Sequence, residues 1–287
     1  MSSSAVLIVN PASGSFSEKR LLSAIDVLKK RFGDVSIFYT GKRGDAERIA
    51  GDAVKKSPEM ILAIGGDGTF NEVVNGTAFT DVPVAFIPAG TTNVLARELD
   101  FPADIYKATL KALNGKTEYV HLGRINDKYF VLMAGIGFDG EAVYRVDQRL
   151  KRVSGKGAYL ISGLKCFMRY HPDLLRIVVD DREYEGYGLI VCNAGYYAGS
   201  FRVCPDAGLG APHLYVSIMH GSKRRDLLGY VIEVISGGRM SSERTTCIKG
   251  KRIVVSGDAH IQIDGDYFGT TPAEITFHER ALRLIVQ

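Results

Sequence analysis

The sequence predicts an α/β protein: a doubly wound parallel-sheet domain followed by a second domain of short antiparallel strands. Three observations carry this. The first hundred residues alternate short apolar runs with amphipathic helical stretches, the pattern of a parallel sheet covered on both faces. Three of the apolar runs end in clusters of Gly, Ser, Thr and Asn. After about Thr117 the alternation gives way to short runs punctuated by turn residues, as antiparallel strands require. A chain of 287 residues is also long enough for two domains at roughly 150 residues each.

The elements follow in order. Ala5–Val9 is a continuous apolar run, expected of a strand buried on both faces. Asn10-Pro11-Ala12-Ser13-Gly14 turns the chain, and Ser17 is placed to cap a helix reaching about Phe32, with Leu21, Leu22, Ile25 and Leu28 on one face. Val35–Tyr39 is the second strand, and Asp45 opens a helix to about Lys56. Met60–Ile64 is the third strand. Gly65-Gly66-Asp67-Gly68-Thr69 follows at once and opens a helix to about Asn75. Val84–Ile87 is the fourth strand, leading through Pro88-Ala89-Gly90-Thr91-Thr92-Asn93 into another helix, and a last helix covers about Ile105–Leu113. Beyond it, Tyr119–Ile125 and Lys128–Ala134 form a hairpin around Asn126-Asp127, and Gly140–Tyr170 is helical in character. Leu174–Asp180 and Glu183–Cys192 form a second hairpin. Leu214–Met219, Ile253–Val255, His260–Ile263, Glu274–Phe277 and Leu282–Val286 are short strands.

Composition narrows the function classes. A hydrophobic content of 46% with 24% charged residues is ordinary for a globular chain and excludes wholesale disorder. No apolar run approaches the roughly 18 residues of a membrane span, and Met1–Ala5 has no basic start to a secretory signal. The four cysteines, Cys166, Cys192, Cys204 and Cys247, have no CxxC spacing, so reduced thiols in a cytoplasmic protein are expected rather than a disulfide framework or zinc site. The net charge is only +4, but Arg145, Arg149, Lys151, Arg152, Lys156, Lys165 and Arg169 face a single acid, Asp147, in one stretch. Interleaved with Val143, Tyr144, Leu150, Tyr159, Leu160, Leu164 and Phe167, they form a cationic amphipathic segment suited to an anionic membrane surface. No nucleic-acid motif accompanies it. His121, His171 and His278 read as structural or exposed, and homo-oligomerisation is left open.

In doubly wound sheets ligands bind beyond the carboxyl ends of the strands. A structural turn needs about one glycine, and here three glycine- and hydroxyl-rich loops lie on one rim, which argues for a phosphate site. The run Ile64-Gly65-Gly66-Asp67-Gly68-Thr69 leaves backbone N–H groups unobstructed where a helix begins, and Asp67 adds a carboxylate that can reach a metal ion. Walker A and protein-kinase signatures are absent. One literal GxGxxG, Gly135-Ile136-Gly137-Phe138-Asp139-Gly140, lacks the acidic residue about 20 positions on that would hold a ribose. It reads as a tight strand-to-helix turn. Asp264 and Asp266 flank Gly265 at a strand end, where both carboxylates can face one site.

Asn10–Gly14, the run Gly65-Gly66-Asp67-Gly68-Thr69-Phe70-Asn71-Glu72-Val73-Val74-Asn75-Gly76, Pro88–Asn93 and Ile263-Asp264-Gly265-Asp266 together resemble the soluble diacylglycerol kinase catalytic family, which includes bacterial lipid kinases and sphingosine kinases. The glycine motif alone is shared with NAD kinases and phosphofructokinases; the ordered set is more specific. The resemblance implies an NAD kinase-like nucleotide domain over 1–117 and a β-sandwich lipid-substrate domain over 118–279, with a last strand near 280–287 returning to the first. It implies transfer of the γ-phosphate of ATP, with Mg²⁺, to the hydroxyl of diacylglycerol or a related lipid, by a cytoplasmic enzyme that visits the inner face of the membrane transiently. By position, Asn10, Pro11, Ala12, Ser13, Gly14, Thr40, Gly65, Gly66, Asp67, Gly68, Thr69, Phe70, Asn71, Glu72, Gly90, Thr91, Thr92 and Asn93 would meet the nucleotide. Asp264, Asp266 and Asp67 would be the catalytic acids, with Asp67 and Asp266 toward the metal. Lys42, Arg43 and Arg97 are candidate partners of the phosphates.

Three departures from the family pattern stand out. Val94 occupies a position where many relatives carry an Asp of a magnesium network, although sphingosine kinases also lack an acid there. Asp266 replaces the usual Glu. Ala211-Pro212, within Pro205–Leu214, replace an Asp-Gly whose Asp often holds a structural metal, so that metal is expected to be missing or weak. The competing readings are an NAD kinase-like enzyme and a catalytically inactive nucleotide- or lipid-binding regulator.

Overall fold

The computed structural model describes residues 3–145, 172–197, 199, 201–236 and 244–287. The chain divides into two units: Met1–Leu122 with Glu279–Gln287, and Gly123–His278.

In the first unit the apolar runs become parallel strands β1 (Ser4–Val9), β2 (Asp34–Tyr39), β3 (Met60–Gly65) and β4 (Val84–Pro88), in the order β2-β1-β3-β4. β1, β3 and β4 are buried almost throughout, while the edge strand β2 is largely open. The intervening helices are α1 (Glu18–Arg31), α2 (Asp45–Val54), α3 (Asp67–Thr77), α4 (Val94–Glu98) and α5 (Ile105–Asn114). The chain leaves β1 toward β2 and then returns past β1 to β3. Right-handed crossovers therefore put α1 and α2 on opposite faces, where α1 packs with α5 and α2 with α3. Gly76 permits the second contact: a Cβ there would lie 2.8 Å from the Ala50 Cβ and 2.9 Å from the Gly51 nitrogen. Ser17 stands at the N-cap of α1 as expected, but its side chain makes no capping bond.

The second unit contains two sheets. One, in this unit, runs β16-β13-β8-β9, from β8 (Leu175–Val179), β9 (Arg182–Gly186), β13 (Arg252–Ser256) and the first part of β16 (Ala273–Val286). The other runs β12-β11-β10-β7-β14-β15, from β7 (Met133–Ile136), β10 (Gly188–Cys192), β11 (Leu214–Met219), β12 (Thr245–Gly250), β14 (His260–Ile263) and β15 (Asp266–Thr270). Alternate residues of both sheets, such as Leu175, Ile177 and Val179, Leu214, Val216 and Ile218, Ile253 and Val255, and Ile261 and Ile263, form one buried cluster. That alternation is what a two-sheet sandwich requires. Helix α6 (Phe138–Tyr144) packs on β14, and α7 covers Arg224–Ser236.

Several elements differ from the sequence expectation. Lys128–Ala134 is not one strand: β6 (Lys128–Phe130) pairs with β5 (Lys116–Ile125), and β7 joins the other sheet. Glu183–Cys192 likewise divides at Tyr187 into β9 and β10, one in each sheet. Glu274–Phe277 and Leu282–Val286 merge into β16, which carries Arg280 at φ 50°. Its far end lies in the first unit, where Leu284 pairs in parallel with Val84. β12, β15 and α7 had no counterpart in the sequence reading. Of the helical stretch Gly140–Tyr170, residues 146–170 lie outside the described residues.

Candidate active site

The loops after β1, β3 and β4 interlock. The Asn10 N–H donates to the Ile64 carbonyl at 2.9 Å. Asn10 Oδ1 accepts from the Ala12 N–H at 3.0 Å, folding the loop, while Nδ2 donates to Thr69 Oγ1 at 2.9 Å. Ser15 ties this loop to the third: its N–H donates to the Ala89 carbonyl and its hydroxyl to the Gly90 carbonyl. Asn93, at φ 50°, accepts the Gly90 N–H on Oδ1 and returns Nδ2 to the Gly90 carbonyl. Glycine is needed where backbones meet. A Cβ on Gly90 would lie 2.6 Å from the Gly66 Cα, and one on Gly14 2.5 Å from Thr91 Oγ1. The junction of β1 and β3 is the topological switch point of this sheet, where loops diverge and ligands bind. There α3 begins on Gly66, which has no side chain to cap it, and a helix N-terminus favours an anion.

The acids of this unit bridge loops. Asp67 accepts the N–H groups of Val94 at 3.0 Å and Leu95 at 3.1 Å, so it holds the start of α4. Glu72 does the same for α2, accepting from Gly44 at 2.9 Å and Ala46 at 3.1 Å. Asp45 closes the loop after β2 by accepting the N–H groups of Gly41 and Lys42. Those two donors hold its carboxyl below the usual carboxylate range. Thr40 joins through its N–H to the Val9 carbonyl. Phe70 is only 1% exposed, packs on Phe86 and belongs to the core; Asn71 binds Asn75. Pro11, Ala12, Gly14, Thr91, Thr92, Lys42, Arg43 and Arg97 are exposed. Ser13, Gly66, Asp67 and Gly68 are half-buried, and Gly65 and Thr69 are buried.

In the second unit Asp264 and Gly265 are the two turn residues between β14 and β15, at φ 47° and 87°. Positive φ at both positions is the tight hairpin turn that Asp-Gly favours. The Asp264 side chain turns inward, 8% exposed. Its Oδ2 accepts the Val131 N–H at 2.9 Å, and its Oδ1 those of Leu132 and Met133 at 2.8 and 3.0 Å. This clamp is why the predicted strand Lys128–Ala134 breaks: three of its N–H groups serve a carboxylate instead of a ladder. Asp266 opens β15 and is half-buried.

Beside this turn lies a cluster that the sequence did not single out. Asp139 of α6 accepts from the Tyr197 hydroxyl and from Gln262 Nε2, each at 2.6 Å. Burial raises its carboxyl above the usual range against the pull of both donors. Burial, then the neighbouring Asp139 carboxyl, also pushes the Tyr197 hydroxyl up. Glu141 faces His260 Nε2 at 3.1 Å and pairs with Arg145, while His260 Nδ1 meets the Tyr267 hydroxyl at 3.1 Å. The only hint of this in the sequence was the glycine spacing of 135, 137 and 140. His121 accepts the Arg280 N–H and His278 binds Thr276; His171 lies outside the described residues.

The comparisons with known proteins agree with this architecture. Residues 4–125 match the model of the diacylglycerol kinase catalytic domain, and residues 133–286 that of the YegS C-terminal NAD kinase beta sandwich-like domain. A diacylglycerol kinase of Staphylococcus haemolyticus is 32% identical over 277 residues, covering 93% of this chain and 83% of the relative. The chain belongs to the diacylglycerol kinase family. A Bacillus subtilis member is 29% identical, covering 98% of this chain and 95% of its own length. A crystal structure of a diacylglycerol kinase from Bacillus anthracis superposes with a TM-score of 0.82 at 22% identity, covering 100% of this chain and 98% of that one. Membership of this family supports a kinase of the lipid-kinase type, and a kinase family implies the use of ATP. Among the described residues no helix is long and apolar enough to cross a membrane.

Proposed function

We propose that this protein transfers the γ-phosphate of ATP to the free hydroxyl of diacylglycerol or a closely related lipid. The observation that carries the reading is the interlocked triple loop at the switch point, where Gly66 opens α3 without a capping side chain and Gly14, Gly66 and Gly90 let the three loops close on one another. The loops after β1, β3 and β4 bind and orient the triphosphate. In the transfer, the lipid oxygen bonds to the γ-phosphorus, the bond to the bridging β–γ oxygen breaks, and ADP leaves. The lipid proton passes to one carboxylate of the Asp264/Asp266 pair. Asp264, clamped by three backbone N–H groups, holds one orientation; Asp266 is the more open of the two.

On this reading Mg²⁺ would arrive with the nucleotide. Among the described residues no three His, Cys, Asp or Glu side chains converge on a metal position, and Val94 contributes no acid. Mg²⁺ is commonly held by substrate phosphates plus one or two carboxylates, the roles assigned to Asp67 and Asp266. When bound, the ion neutralises charge developing on the phosphoryl oxygens. The basic residues Arg149, Lys151, Arg152, Lys156, Lys165 and Arg169 lie outside the described residues; Arg145, within them, pairs with Glu141. Their charge suits transient docking on an anionic bilayer. The deciding experiment incubates the protein with γ-labelled ATP and mixed micelles of diacylglycerol, sphingosine and monoacylglycerol, with NAD offered in parallel. Label in one lipid supports the proposal. Label only in NAD assigns an NAD kinase, and nucleotide binding without transfer assigns a regulator.

A further inference from the structure

We propose that Gln262, oriented by the buried Asp139 carboxyl, is a positioning residue that fixes the Asp264-Gly265-Asp266 turn. The inference rests on the reading of that turn as part of the phosphoryl-transfer machinery. Gln262 is 2% exposed. Its Nε2 donates to Asp139 Oδ2 at 2.6 Å, and its Oε1 accepts the Gly265 N–H at 2.8 Å. Only an amide in this orientation serves both neighbours, because a carboxylate needs a donor and an N–H needs an acceptor. The Tyr197 hydroxyl holds the other Asp139 oxygen, so a chain of hydrogen bonds runs from Tyr197 through the buried Asp139 and Gln262 to the exposed Gly265.

This chain accounts for the glycine motif left without a nucleotide role. A Cβ on Gly135 would collide with Asp139 Oδ2 and come within 2.8 Å of Gln262 Nε2. Gly137, at φ 94°, turns the backbone into α6, and Gly140 admits the His260 carbonyl. The turn is thus secured at two points: Asp264 by the N–H groups of 131–133, and Gly265 by Gln262. Releasing the second lets the Asp266 carboxylate shift, and a misplacement of about 1 Å can cost a reaction about a hundredfold.

The test is a charge exchange. Gln262→Glu keeps an acceptor for Gly265 but sets two carboxyls against each other, which tolerate contact only while one holds a proton. We expect kcat to fall about ten- to hundredfold at alkaline pH and to recover as the pH is lowered, with the KM for ATP unchanged. In Asp139→Asn/Gln262→Glu the amide and the carboxylate trade places, and kcat returns to within about threefold of the parent with its original pH profile. Tyr197, Tyr230 and Cys192 around Asp139, and the nearby Glu141, His260 and Tyr267, are common to every variant, so the comparison of single and double variants reports on residues 139 and 262. A Gln262→Glu enzyme with parental kcat and pH profile, or a double variant no better than the single one, overturns the proposal. Amide hydrogen exchange over residues 262–267 is independent of turnover. Gln262→Leu should lose protection at Gly265 while the other strands of this unit keep theirs, and unchanged protection also overturns the proposal. Absence of lipid transfer by the parent protein refutes the assigned reaction alone and leaves the exchange result to decide the role of Gln262.

Discussion

Replacing Asp264 by Asn tests whether the clamp on residues 131–133 is as much structural as chemical. In the parent, one carboxylate accepts three backbone N–H groups at 2.8–3.0 Å. An amide at this place settles with its oxygen toward Leu132 and Met133, which share one carboxylate oxygen. Its NH₂ then faces the Val131 N–H, donor against donor. Two bonds to a charged acceptor, each worth about 1.5–3 kcal/mol, become neutral bonds near 1 kcal/mol, and the orphaned Val131 N–H costs about 1–3 kcal/mol. The expected loss is about 4 kcal/mol, or a fall in melting temperature of roughly 10 °C for a domain of this size. Differential scanning calorimetry reads it directly, with Asp266→Asn as the comparison; that side chain is half-buried and, among the described residues, belongs to no such clamp. A melting point for Asp264→Asn within about 2 °C of the parent would refute the clamp energetics. The consequence for enzymology is specific: inactivity of Asp264→Asn alone does not identify a proton acceptor, whereas inactivity of a normally folded Asp266→Asn places that carboxylate in the reaction, as proton acceptor or as metal ligand.

Further outcomes follow from the same geometry. Gly90→Ala places a methyl 2.6 Å from the Gly66 Cα, so the loops separate; titration calorimetry should show ATP affinity reduced at least about tenfold. Gly76→Val forces α3 off α2 and should cost about 1–3 kcal/mol or more in urea denaturation, with parental stability contradicting the close approach. Glu72→Ala strands the N–H groups of Gly44 and Ala46 and should cost about 1–2 kcal/mol, read by thermal melting. Burial raises the Asp139 carboxyl, so the folded state keeps that proton to higher pH than the unfolded chain. The stability it contributes is full below the ordinary carboxylate value of about 4 and is lost as pH rises through the folded value. Asp139→Asn should therefore flatten the decline of urea midpoints above about pH 4, and an unaltered slope would contradict the assignment.

The parallel half of the fold was legible because its signals are local. Ala5–Val9, Met60–Ile64 and Val84–Ile87 are continuous apolar runs, and continuous burial is what β1, β3 and β4 show. The glycine loops were legible for the same reason, since close backbone approach leaves a residue-type mark. What could not be read depended on partners distant in sequence. The break at Val131–Leu132 answers to Asp264, 133 residues away from Val131, and Asp139 meets Gln262 across 123 residues. Glu72 and Asp67 read as ligand-facing acids, yet their oxygens hold N–H groups 28 residues off, at Gly44 and Leu95. Ser17 shows the converse limit: the capping residue stands in place without its bond.

The most direct measurement of the central claim is the transfer of label from γ-labelled ATP to lipid hydroxyls in mixed micelles, with the parent protein and Asp266→Asn side by side. The account predicts a phosphorylated diacylglycerol or close relative from the parent, and at least about a hundredfold less from a normally folded Asp266→Asn. Equal transfer by both proteins, or parental transfer to NAD and to no lipid, would contradict it.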